Sequence, residues 1–114
     1  MKSVTLSVAS RDDVTRRALS AFSGTAQGAH ISFESPDLLW RTLTRKRWDL
    51  LAALTGIGPV SIREAARRVG RDVKAVHGDV HALLLAGVLQ HDESGRLVFP
   101  YDTVHVDFTL TKAA

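Results

Sequence analysis

Cysteine is absent from the 114-residue chain, which rules out disulfides, thiolate catalysis and cysteine-ligated zinc or iron–sulfur centres. Long apolar runs are missing as well. The longest strongly apolar stretch, Leu83 to Leu89, is far too short to cross a bilayer. After Met1-Lys2 the chain alternates polar and apolar residues, so no secretory leader is expected. These features predict a cytoplasmic protein with no membrane association. The chain has no internal repeat and no low-complexity segment, and its length leaves no room for a catalytic domain beside a binding domain.

Acid is scarce in one part of the chain. Residues 41–71 hold eight basic side chains against two acidic ones, while residues 1–40 hold four of each. The formal net charge of +3 is therefore concentrated in the middle, as a phosphate-binding surface requires. What remains is ordinary globular composition: 45% hydrophobic and 24% charged.

Periodicity divides the chain. Ser3 to Val8 alternates, with Val4, Leu6 and Val8 on one face, and reads as a strand. Ser10 is placed to cap a helix running to about Phe22, and residues 29–34 read as a second strand. Ser35-Pro36 marks a further helix start. From Thr44 three helices follow in quick succession. The first runs to about Leu54 on Leu50, Leu51 and Leu54. The second opens on Ser61-Ile62-Arg63-Glu64, a capping box in which the Ser hydroxyl accepts from the Glu64 amide and the Glu side chain reaches back. It closes at Gly70. The third, over 72–86, is capped by Asp72 and turns Val73, Val76, Val80, Leu83 and Leu84 inward. Val88-Leu89-Gln90 and Leu97-Val98-Phe99 flank a Gly-containing polar loop and read as a hairpin. A last strand over 103–110 alternates, with Val104, Val106, Phe108 and Leu110 on one face.

Short helix, tight turn, longer helix and hairpin is the order of a winged helix-turn-helix. Ala65 and Ala66 let the third helix cross closely above the second, and Gly70 makes the turn. Removing the inward stripe from the third helix leaves Lys74, Ala75, His77, Gly78 and His81 facing out, with Arg71 just before it. Lys74 and Arg71 suit phosphate or guanine contact, His77 suits a phosphate or base acceptor, and Ala75 and Gly78 permit close approach. Arg63, Arg67 and Arg68, with Arg45, Lys46 and Arg47, are expected to grip the phosphate backbone. Arg96 at the hairpin tip could enter the minor groove, though Asp92 and Glu93 beside it weaken the hairpin as a phosphate binder.

Three stretches carry a family resemblance. They are Leu43-Thr44-Arg45-Lys46-Arg47-Trp48-Asp49-Leu50-Leu51, Ser61-Ile62-Arg63-Glu64-Ala65-Ala66-Arg67, and Gly70-Arg71-Asp72-Val73-Lys74-Ala75-Val76-His77-Gly78-Asp79-Val80. Over roughly residues 30–110 the chain resembles a family of small DNA-binding proteins of archaea and bacteria, the MarR-like winged-helix transcriptional regulators. Pro100-Tyr101-Asp102 is similar to that family's ending too, whereas Gly78 stands where many members carry Arg. The family is also similar to antitoxins encoded beside small ribonuclease-like toxins, so the resemblance implies either a repressor or an antitoxin that neutralises a cognate toxin.

Enzyme chemistry finds no support. No nucleophile elbow is present, and Gly56-Ile57-Gly58 precedes a proline between helices instead of following a strand. His77 and His81 have zinc-binding spacing, but Gly78 stands where a zinc protease needs Glu. A metal sensor using His77, His81 and His91 is an alternative to histidines that face DNA. The expectation is thus an α+β chain: a winged helix-turn-helix over 37–114, preceded by a strand–helix–strand arm over 1–36. The three outer strands would share a small sheet. Its expected partners are double-stranded DNA, a second copy of itself and, in the antitoxin alternative, a toxin, with no cofactor and no metal.

Overall fold

The computed structural model describes residues 2–8 and 29–108. The helix expected from Ser10 to Phe22, and Leu110 of the last strand, lie outside these residues. Among the described residues the order is β1 (Ser3–Val8), β2 (Ala29–Phe33), α1 (Pro36–Thr42), α2 (Arg45–Leu54), α3 (Ile62–Val69), α4 (Val73–Leu85), β3 (Gln90–His91), β4 (Leu97–Val98) and β5 (Thr103–Asp107). The chain is an α+β protein. Among the described residues no helix is long and apolar enough to cross a membrane.

The three alternating segments form one sheet in the order β2-β1-β5. Both pairings are parallel, and β1 lies between strands contributed by residues 29–33 and 103–107. Val4 is in register with Ala29 and Val104, and Leu6 with Ile31 and Val106, so these apolar side chains share one face. That face meets the helices: Val4, Leu6 and Phe33 are buried in one core with Leu39 and Leu43. The sheet therefore draws on both segments that the sequence divides at residue 36. At its β5 edge the apolar face is incompletely covered, leaving Val106 41% exposed. The Phe108 ring, just past β5, meets Trp40 edge-on at 5.7 Å.

Each helix begins where its cap dictates. Ser35 Oγ accepts from the Leu38 amide at 3.1 Å, with Pro36 in the first turn, where the missing N–H costs nothing. Thr44 and Ser61 cap α2 and α3 in the same way. Their buried stripes converge: Leu50, Leu51 and Leu54 from α2, Ala65 and Ala66 from α3, and Val76, Val80 and Leu83 from α4. Ala65 and Ala66 are fully enclosed, and their small size brings α3 close to its neighbours. Val73 differs from expectation. It sits in the first turn of α4, ahead of the inward stripe, and is 39% exposed.

Between α3 and α4 the chain turns at Gly70, whose φ of 67° and ψ of 34° lie in the left-handed region. The Gly70 amide donates to Arg67 O at 3.2 Å and the Arg71 amide to Ala66 O at 3.1 Å, so two of the carbonyls ending α3 are satisfied. Beyond α4 the β3–β4 hairpin pairs Gln90 with Val98 and His91 with Leu97. Val60 adds an antiparallel bridge to Leu97, with both backbone bonds at 2.8 Å. The hairpin is thereby attached to the residue just before the Ser61 cap.

Candidate functional site

Positions 74, 77, 78 and 81 are spaced i, i+3, i+4, i+7, the repeat that aligns side chains on one helical face. Lys74, His77, Gly78 and His81 form such a stripe along α4, and all four are exposed, as is Ala75. Opposite them Val76, Val80 and Leu83 are buried, which fixes the rotation of the helix. The exposed basic side chains of α2, α3 and the hairpin are Arg45 and Lys46 in the first turn of α2, Arg63, Arg67 and Arg68 on α3, and Arg96 on the hairpin.

Two arginines expected on this surface are turned inward. Arg71 Nη2 lies 2.8 Å from Asp79 Oδ2, and Arg47 Nε donates to Asp79 Oδ1 at 3.1 Å. Arg47 Nη1 also donates to Thr42 O at 3.0 Å, so one guanidinium joins the end of α1 to α4. Side-chain exposures of 17% for Asp79, 21% for Arg71 and 22% for Arg47 leave little of this group in solvent. Burial pushes the Asp79 carboxyl up. The hydrogen bonds and charges of Arg71 and Arg47 together outweigh it and hold the carboxyl below its ordinary value. Sequence spacing could not reveal this cluster, because Arg47 lies 32 positions from Asp79. The one available signal was an acid in the middle of an otherwise basic helix.

The capping box is half formed. Ser61 Oγ accepts from the Glu64 amide at 3.1 Å, but the Glu64 carboxylate turns forward to Arg67 and Arg68 instead of reaching back. Hydrogen bonds from Arg67 hold that carboxyl below its usual range. Two guanidiniums one turn away offer it charge as well as hydrogen bonds, which a lone backbone N–H does not. Asp72 stands at the N-cap of α4 but makes no capping bond with its side chain.

A cleft of about 410 Å³ opens between α4 and the hairpin. Its apolar lining comes from Ile62, Val80, Leu84 and Leu97, and its polar lining from Ser61, His77, His81, His91, Ser94 and Arg96. The three histidines expected as an alternative metal set thus line one cleft, yet among the described residues no group of three His, Asp or Glu side chains is arranged to hold a metal ion. Asp92 is consumed by the hairpin turn. Its Oδ1 accepts from the Ser94 hydroxyl at 2.8 Å, the Arg96 amide at 2.8 Å and the Ser94 amide at 3.0 Å. The Ser94 hydroxyl first, and then those amides, hold this carboxyl below its ordinary value.

An α+β domain in which three closely packed helices present a carboxylate-free stripe beside a hairpin is the class that the fold and this surface define. The chain belongs to the HVO_A0114 family, whose family model matches residues 42–106. That span runs from the end of α1 almost to the end of β5 and contains the α4 stripe, the Asp79 cluster and the cleft. No curated protein and no solved structure matches the chain.

Proposed function

We propose that the protein is a sequence-specific, double-stranded-DNA-binding transcriptional regulator of MarR-like winged helix-turn-helix type. It acts as a cytoplasmic repressor, not an enzyme, and reads the major groove with α4. The observation that carries this reading is the outward stripe of that helix. Asp79 is the only acid within α4, and it is drawn away to Arg47 and Arg71, so the stripe of Lys74, His77, Gly78 and His81 presents donors and open space with no carboxylate of its own, while Asp72 stands exposed at the N-cap. Such a stripe suits hydrogen bonding to guanine and to phosphates, and close approach at Gly78. In this reading Arg45, Lys46, Arg63 and Arg67 hold phosphates on either side, the hairpin is the wing, and two copies bind two half-sites.

The same geometry removes Arg71 from the expected base contacts and leaves Lys74 as the side chain to test. From a random-sequence duplex library the full chain should select a defined motif. Lys74→Ala should weaken binding to the selected duplex by about 1–3 kcal/mol. Because Lys74 is exposed, its unfolding free energy should stay within about 0.5 kcal/mol of the parent. Recovery of no preferred sequence, or a variant that binds like the parent, overturns the groove reading.

A further inference from the structure

The cleft beside the α4 stripe gathers three imidazoles from two elements, His77 and His81 from α4 and His91 from β3. The other charged group in its lining is Arg96. From the elements packed around it, Lys74 lies one turn earlier on α4, Asp92 is folded into the hairpin turn, and Glu93 is exposed at the tip. Ser61 and Ile62, at the start of α3, add a hydroxyl and an apolar side chain without a titratable group.

His91 has a defined polarity. Its Nδ1 lies 3.1 Å from the Gly95 carbonyl oxygen, and a carbonyl can only accept, so Nδ1 is the donor. Neutral His91 therefore has only the Nε2 lone pair left to offer an incoming anion. Protonation turns that repelling lone pair into an N–H donor carrying charge. The cleft's other surface is hydrocarbon, from Ile62, Val80, Leu84 and Leu97. A nucleic-acid backbone matches both halves, with anionic oxygens for the imidazoles and Arg96 and the carbon face of a deoxyribose for the apolar side chains.

We propose that this cleft is a proton-linked phosphodiester site, which seats one backbone phosphate of the bound duplex and takes up protons on His77, His81 and His91 as it does so. The proposal rests on the DNA-binding reading above. It adds to it a site between helix and hairpin and a dependence on pH. Imidazole changes charge between about pH 5 and 8, so a duplex that favours the charged form must bind more tightly as pH falls through that range.

Phosphate contacts act on any sequence, so a mixed-sequence duplex is a sufficient probe for the full chain. Its affinity should rise at least about tenfold from pH 8 to pH 6. The slope of log affinity against log salt should steepen by about 0.9, the increment for the one phosphate that the cleft neutralises. His91→Gln, outside the α4 stripe, should lose part of the pH dependence, and the triple variant His77→Gln, His81→Gln, His91→Gln should bind more weakly and lose all of it, the ratio of its affinities at pH 6 and pH 8 falling to about one. His105→Gln, on β5, should retain all of the pH dependence, and circular dichroism should show each variant folded. Parent binding that is flat in pH, or a triple variant with the parent's slope, overturns the proposal and leaves the DNA reading standing. Absence of duplex binding at every pH overturns both. If inorganic phosphate alone shifts the ring resonances of these histidines while duplex binding stays flat in pH, the cleft takes a free anion and the duplex assignment fails.

Discussion

At Asp79 one carboxylate receives two guanidiniums, Arg47 from α2 and Arg71 from the turn before α4. Taking all three charges out of water costs energy, and the pairing contacts offset that cost only while each remains in place. Asp79→Asn should therefore lower the unfolding free energy at pH 7 by about 1.5–3 kcal/mol, the range for a hydrogen bond to a charged group. The dependence on pH follows from the depressed folded value. Such a carboxylate adds stability above its unfolded pKa and loses it as pH falls through the folded one. Parent and variant should thus converge below the ordinary value of 3.8. Urea unfolding at neutral and acid pH checks this, and equal stabilities at pH 7 would remove the role assigned to the cluster. Arg71 illustrates what residue type and position leave open. Beside Lys74 in sequence it has the same prospects for a DNA contact, yet a partner eight residues later draws it inward.

On the scale of elements, α4 contains a residue that its own fold does not require. Gly78 is helical, and a Cβ added there would meet nothing within 4 Å. Glycine inside an exposed helix costs about 0.5–1 kcal/mol relative to alanine. Gly78→Ala should accordingly raise the stability of the chain by that amount, read from thermal or denaturant unfolding. If α4 lies in the groove, the same substitution should weaken duplex binding. A variant that gains stability and binds DNA undiminished would leave Gly78 without a part in the contact. Gly70 contrasts with it, since its left-handed backbone is a requirement of the turn. Most element ends were legible because caps act within three or four residues: Ser35, Thr44, Ser61 and Gly70 all stand where their type predicts. Glu64 departs because its carboxylate has a choice of partners, and the nearby guanidiniums win. The bridge from Val60 to Leu97 was not legible, because a single residue pairing across two intervening helices has no periodicity to detect.

For the molecule as a whole, the proposed groove reading implies a pair of chains, because one α4 stripe would span few base pairs and a two-fold pair would double the contact with a palindromic site. Trp40 and Val106, 55% and 41% exposed, would supply apolar surface for such a pairing. Sedimentation at micromolar concentration should give twice the 12.4 kDa chain mass, and a monomer there would end the dimer reading. The sheet shows how topology escapes sequence patterning. Alternation identified three strands with one apolar face each, but their order, their parallel direction and the central place of β1 depend on which strands meet.

The sequence by itself determined what short-range forces control: the caps, the left-handed turn at Gly70, the apolar stripes, the basic middle segment and hence the exposed α4 face. Only the tertiary structure decided which charges remain available on that face. Asp79 binds Arg47 and Arg71 because folding brings together groups 32 and eight positions apart, and His91 joins His77 and His81 because the hairpin folds back across the helix. Charges act through space, and the distances between them exist only once the chain has packed.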